Sequence, residues 1–201
     1  MRTAVFGGTF NPPHSGHVKL ARAVIAGGYA EKVLFIPAFR PPHKTEMSAA
    51  PFTDRVAMLK LALHDFPETE ISSLEAQRPD RLSYTFETMC ELTAAHPGEQ
   101  YVLLIGSDSL RQLHLWYRAA ELAERWPILT YPRPGETVTL AELRQHWPEP
   151  LAEKLVKTVA DLPLFDYSST VIRTALRHGE ISDDALDDGV IKYIQEKRLY
   201  R

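Results

Sequence analysis

Short apolar runs rich in β-branched and aromatic residues alternate along this chain with longer segments whose apolar positions recur at helical spacing. βαβ units wound around a parallel sheet produce this alternation, so it predicts an α/β fold. Strands are predicted at Thr3–Phe6, Lys32–Ile36, Thr69–Ser72, Tyr101–Ile105 and Pro127–Tyr131, with a further short strand at Leu162–Phe165. Helices are predicted at His17–Ala26, Thr53–His64, Thr85–His96, Trp116–Arg125, Leu140–His146, Ser169–Arg177 and Asp183–Lys197, the last interrupted near Gly189. Candidate caps agree with these spans. Thr53 precedes the apolar series Val56, Leu59, Leu63, and Ser182 precedes Asp183 and Asp184, with Lys197 and Arg198 closing the same segment.

With 201 residues the chain has room for a single ordinary core, and no internal repeat or linker divides it. A formal charge of −3 excludes a whole-protein basic field of the kind that holds nucleic acid or an anionic membrane, so any polyanion must be bound locally. The one cysteine, Cys90, rules out an internal disulfide framework and every multi-cysteine metal site. No run approaches the ~20 apolar residues of a membrane span, and Met1–Phe6 is too short for a secretory leader. The expected location is the cytoplasm. Nothing in the pattern addresses oligomeric state.

Residues of special chemistry cluster where a strand has just ended, at Gly7 to His17, Pro37 to Lys44, Gly106 to Asp108, Tyr131 to Gly135 and Tyr167 to Thr170. In an open α/β sheet these ends share one side, which predicts a common cleft. The loop Pro37–Pro51 is long enough to be functional.

The first such segment is Gly7-Gly8-Thr9-Phe10-Asn11-Pro12-Pro13-His14-Ser15-Gly16-His17, opening directly into a helix. Glycines permit close backbone approach, and the amides of a helix start attract an anion, so this is a phosphate site on physical grounds. It is neither a Gly-x-Gly-x-x-Gly dinucleotide fingerprint nor a P-loop. His14 and His17 can face one ligand; a zinc reading lacks an evident third ligand. Near the other end, Tyr167-Ser168-Ser169-Thr170-Val171-Ile172-Arg173 predicts a helix capped by Ser168, with Ser169 and Arg173 on one face and Ile172 and Leu176 packed inward.

The first segment resembles the nucleotidyltransferase superfamily signature ending in His-x-Gly-His, and its fuller form GGTFNPPHSGH resembles that of the bacterial nicotinate-nucleotide adenylyltransferases. Tyr167–Arg173 is similar to the superfamily's Ile-Ser-Ser-Thr-x-x-Arg, with Tyr167 in place of the usual aliphatic residue. Arg78 to Thr88 resembles the family's Ser-Tyr-Thr-x-x-Thr region, although the usual glycine is missing and both Arg78 and Arg81 compete for the family's arginine. Gly106-Ser107-Asp108-Ser109-Leu110 followed by Trp116 resembles Gly-x-Asp-Ser-Leu and its downstream tryptophan.

The resemblance implies a Rossmann-like open parallel sheet flanked by helices, in a single nucleotidyltransferase domain spanning residues 1–201 whose C-terminal helical part, from about 168, carries the second phosphate motif. It implies adenylyl transfer from ATP, with Mg²⁺, to nicotinate mononucleotide, giving deamido-NAD and pyrophosphate. On that likeness His14, His17, Lys44 and Arg173 would act on the phosphates. Gly7, Gly8, Thr9, Phe10, Gly106, Asp108, Ser168, Ser169 and Thr170 would join them around ATP, and Lys44, Ser83, Tyr84, Thr85, Trp116 and Arg133 would hold the nicotinate nucleotide. The metal would come with the ATP phosphates rather than from protein side chains. Sibling transferases with another phosphate acceptor, and a non-catalytic nucleotide sensor, share the phosphate motifs.

Overall fold

The computed structural model describes residues 1–41, 49–180 and 184–201. Strands β1 (Arg2–Gly8), β2 (Lys32–Pro37), β3 (Thr69–Ile71), β4 (Gln100–Gly106) and β5 (Ile128–Tyr131) form one parallel sheet in the order β3-β2-β1-β4-β5. Among the described residues the helices are α1 (Ser15–Ala26), α2 (Phe52–Ala62), α3 (Thr85–Ala95), α4 (Ser107–Gln112), α5 (Ala119–Arg125), α6 (Leu140–Leu143), α7 (Glu149–Val156), α8 (Ser169–Arg177) and α9 (Asp188–Lys197).

The register explains why the central strands read as continuous apolar runs. Val5 of β1 lies level with Leu34 of β2 on one side and Leu103 of β4 on the other, and each of these strands is covered on both faces. Val5, Leu34, Ile36, Leu103, Ile105 and Ile128 point to one face, against Phe86, Met89 and Leu92 of α3 and Leu122 of α5. Their alternates Ala4, Phe6, Val33, Phe35, Val102, Leu104 and Leu129 point to the other, against Leu20, Ala21 and Val24 of α1 and Leu59 of α2. A third cluster joins Met58 of α2 to Ile172 of α8 and to Val190 and Ile194 of α9, which anchors α8 to these two helices.

The chain winds outward from β1 to β3 and then returns to place β4 on the other side of β1. Between β1 and β4 the connections leave in opposite directions, opening a crevice at the carboxyl ends where ligands bind in folds of this kind.

Several sequence expectations change. Leu162–Phe165 forms no strand; the edge of β5 meets the chain earlier, through a single parallel bridge between Thr130 and Val159, and Pro163 in the expected run has no N–H for a ladder. Trp116 ends a 3-10 turn rather than opening a helix, and α5 starts three residues later, after Arg118 in the left-handed region. Thr53 lies inside α2, whose N-cap is Pro51. Ser182 and Asp183 lie outside the described residues; α9 begins at Asp188 with Asp187 as its cap, its carboxylate accepting from the Gly189 N–H at 2.8 Å, so Gly189 belongs to the first turn. Helix α7 was not anticipated because Pro148 and Pro150 interrupt its pattern, but both occupy the start of the helix, where their missing N–H groups cost nothing.

Candidate active site

The turn after β1 is shaped from within. Phe10 adopts φ +50 and buries its ring to 2% exposure between Phe6 and Phe35, with 5.5 Å between centroids in each pair. A Cβ at Gly8 would lie 3.0 Å from the tip of this ring, so glycine lets the backbone close over it. Phe10 borders the cleft, but its ring belongs to the core.

His14 is the N-cap of α1 in extended conformation, and its backbone N–H donates to Nδ1 of His17 at 3.1 Å. The two rings stack at 3.7 Å with an angle of 27°. On the far side of His14 lies Tyr167, nearly parallel at 21° with centroids 5.9 Å apart. Gly16 makes this stack possible, since a Cβ there would come within 2.8 Å of the Tyr167 ring and 3.0 Å of His14 Nδ1.

Burial and, secondarily, the charge of Arg133 push the His14 pKa down to about 4. His17 is also held well below the ordinary histidine range, chiefly by burial and then by His14 and Arg133. Both rings are therefore neutral near pH 7. Because Nδ1 of His17 accepts the His14 amide proton, its own ring proton resides on Nε2.

The second motif is fastened to the first. In α8 the N-cap is Ser168, which makes no side-chain capping bond; instead Ser169 Oγ donates to the Pro12 carbonyl at 3.0 Å and Arg173 Nη1 donates to the Asn11 carbonyl at 2.8 Å. Val171 is exposed while Ile172 packs inward.

These segments enclose a cleft of ≈ 380 Å³ at the mouth of the β1–β4 crevice. Gly7, Gly8, Thr9, Phe10, His14, His17, Gly106, Trp116, Arg133, Ser168, Ser169, Thr170 and Arg173 all line it. A contiguous pocket of ≈ 90 Å³ shares Gly7, Gly8, Ile105 and Trp116 with the cleft and is closed by Ala38, Ser83 and Thr85. Ser83 holds the strand-end loop in place by accepting from the Arg40 N–H at 2.9 Å while its own N–H donates to the Arg40 carbonyl at 2.9 Å.

Other predicted residues sit differently. Tyr84 lies outside the small pocket's lining, its ring packed on Tyr117 at 4.7 Å. Asp108 lines the neighbouring depression with Arg111 and Glu136, its Oδ1 lying 3.4 Å from Arg133 Nε at the rim of the cleft. Lys44 lies outside the described residues. Arg78 is turned to α3, binding Glu87 at 3.0 Å and the Thr88 hydroxyl at 2.5 Å.

Sequence reasoning missed three contributors. Arg55 is 3% exposed and donates to the carbonyls of Thr9 (2.7 Å), Ala38 (2.8 Å) and Ala50 (3.0 Å), tying the first turn to both ends of the following loop. Glu75, buried beside the small pocket, accepts from the Thr88 hydroxyl at 2.8 Å and the Phe39 N–H at 3.2 Å. Asn11 lies within the first motif, yet its bonds reach across the chain. A charged residue in an otherwise amphipathic helix is the only local sign of Arg55, and it does not differ from an ordinary solvated position.

Among the described residues no group of three histidine, cysteine, aspartate or glutamate side chains converges as a metal cage. No helix among them is long and apolar enough to cross a membrane.

The cytidylyltransferase-like family profile matches residues 5–175. Nicotinate-nucleotide adenylyltransferase of Bacillus subtilis (strain 168) is 34% identical over 199 residues, covering 99% of this chain and 98% of its own. The fold is shared with the Plasmodium falciparum nicotinic acid mononucleotide adenylyltransferase solved in complex with NaAD, at a TM-score of 0.80 and 15% identity over 99% of this chain and 97% of that one. The same enzyme complexed with APC superposes with a TM-score of 0.78, at 15% identity over 99% of this chain and 96% of that one. With a family profile spanning most of its length and a full-length relative above the level at which family is in question, this chain belongs to the cytidylyltransferase-like family, in its nicotinate-nucleotide adenylyltransferase group.

Proposed function

We propose that this protein transfers the adenylyl group of ATP to nicotinate mononucleotide, forming deamido-NAD and releasing pyrophosphate, as a step of NAD biosynthesis in the cytoplasm. The observation that carries the reading is the joining of two phosphate-binding motifs in one cleft, His14 and His17 from the α1 start and Ser168–Arg173 from α8, with a second small pocket that shares part of its wall. One cleft suits a triphosphate; the adjoining pocket, walled by Trp116 and the start of α3, suits a flat ring.

The chemistry needs no protein nucleophile and no general base. A phosphate monoester with a second pKa of about 6 is already largely dianionic at pH 7 and can attack the α-phosphorus directly. What the protein must supply is alignment of two anions and donors where charge builds on the α-phosphoryl and the leaving pyrophosphate. His17 supplies a neutral Nε2–H donor, with His14 beside it. Arg173 supplies a fixed cation, and its bond to the Asn11 carbonyl orients the planar fork that phosphate recognition uses. Gly7, Gly8 and Thr9 give the phosphates close backbone approach, and Gly106 and Asp108 bound the nucleoside side. Arg133 adds positive charge after β5, and the family resemblance assigns the same role to Lys44. Magnesium would enter as part of the substrate, carried on the ATP phosphates, where it would neutralise phosphate charge.

The acceptor's carboxylate fits the free amides at the start of α3, next to Ser83 and Thr85, because the first-turn N–H groups of a helix are donors without intrahelical partners. A pyrophosphate-release assay of the purified protein with ATP and a panel of acceptor phosphates tests the reading. Release that requires nicotinate mononucleotide supports it. Release with phosphopantetheine or glycerol phosphate alone would move the protein to a sibling activity.

A further inference from the structure

The chain's last residues reach the first loop. After α9, Arg198 and Tyr200 both adopt left-handed backbone, φ 55 and 62, a conformation that non-glycine residues hold only when surrounding contacts enforce it. Leu199 packs into the α2–α8–α9 cluster, and the Tyr200 hydroxyl donates to Oδ1 of Asn11 at 2.7 Å, across 189 positions of sequence. The same oxygen accepts the Ala50 N–H at 2.9 Å. The amide of Asn11 is thus clamped from two sides, and its backbone carbonyl is the one to which Arg173 donates at 2.8 Å. Asn11 is 5% exposed.

We infer that Tyr200 is a positioning residue for nucleotide binding, acting through Asn11 to set the guanidinium of Arg173 toward the phosphates. Burial, opposed by Arg173 and Arg55, raises the Tyr200 pKa, so the hydroxyl stays protonated and remains a donor throughout the working pH range. The Asn11 side chain then has its acceptor occupied by fixed partners, the carbonyl of the same residue is held in place, and the Arg173 fork is aligned before ATP arrives. The aromatic ring of Tyr200 contributes packing; the hydroxyl contributes alignment. These two roles separate experimentally.

The inference rests on reading the cleft as an ATP site, and the test keeps the two apart. Titration calorimetry with the α,β-methylene analogue of ATP and magnesium is carried out on the wild-type protein, Tyr200→Phe, Arg173→Lys and the double variant, with thermal unfolding of each. Tyr200→Phe should bind the analogue about 3- to 10-fold more weakly, the effect of losing one neutral hydrogen bond's worth of alignment, while its unfolding midpoint stays near wild type. In the Arg173→Lys background, where the fork is already lost, the same change should weaken binding by less than about 2-fold. Unchanged affinity in Tyr200→Phe, or equal weakening in both backgrounds, overturns the inference and leaves the tyrosine as packing alone. Failure of the wild-type protein to bind the analogue would instead overturn the ATP reading, and this inference with it.

Discussion

His14 and His17 are stacked ring on ring at 3.7 Å, and the backbone N–H of the first donates to Nδ1 of the second at 3.1 Å. The pair presents neutral donors, not two positive charges, because stacked imidazoliums in a buried turn would repel each other and lose hydration. Among the described residues, Arg133 and Arg173 carry the positive charge in the cleft.

Replacement of His17 by alanine is expected to lower turnover by roughly 10²–10³, the range for removal of one preorganised donor at developing charge. Steady-state pyrophosphate release measures this, with circular dichroism confirming a native fold. Turnover near wild type would take His17 out of the mechanism.

Stability should depend on pH through the same pair. Well above pH 6.5 neither the folded nor the unfolded chain protonates His14, and its burial then costs the fold no stability through protonation. As pH falls from 6.5 towards about 4, the unfolded chain takes up the proton while folded His14 resists it, so stability declines. The loss from His14 approaches about 3 kcal/mol by pH 4, and His17 acts in the same direction. Urea unfolding at pH 7.5 and pH 5 should show the decline, reduced in His14→Asn. An equal decline in that variant would assign it to other groups.

Gly16→Ala tests the ring stack. A Cβ at this position meets Tyr167 at 2.8 and 2.9 Å and His14 Nδ1 at 3.0 Å, and the nearer atoms include the Tyr167 Cβ, which cannot rotate away. The expected cost is about 1–3 kcal/mol, as for overpacking elsewhere, together with a fall in turnover as His14 shifts. Thermal unfolding and turnover are read on the same sample; a variant unchanged in both would show that the contact relaxes freely.

Choice between acceptors should follow from the donor character of the α3 start. Nicotinate and nicotinamide mononucleotides differ by a carboxylate against a neutral amide, whose NH₂ would face another donor at a cost of about 1–3 kcal/mol. Charge-assisted bonds to the carboxylate widen the gap. The kcat/KM ratio is expected to favour the nicotinate form by at least ~10², as measured by competition between the two acceptors. Equal use would remove the specificity assignment and leave adenylyl transfer in place.

Much of this protein was determined by its sequence alone, wherever the information is local. Burial on both faces makes β1, β2 and β4 continuous apolar runs, so their existence and the α/β class follow from pattern. The phosphate turn is also local: glycines, a helix start and two histidines three residues apart need no distant partner to define a site. The tertiary structure decided what depends on groups far apart in the chain. Arg55 is a surface-like residue until three carbonyls from separate loops surround it, and Glu75 is one more charge until Thr88 and Phe39 close over it. The protonation state of the histidines is a property of burial, which no residue carries alone. The docking of Tyr200 on Asn11 joins residues 189 positions apart. Such contacts form only once the sheet and its helices have brought the ends of the chain together, and the loop-closure entropy they require is met by the packing of α2, α8 and α9 around Met58 and Ile172.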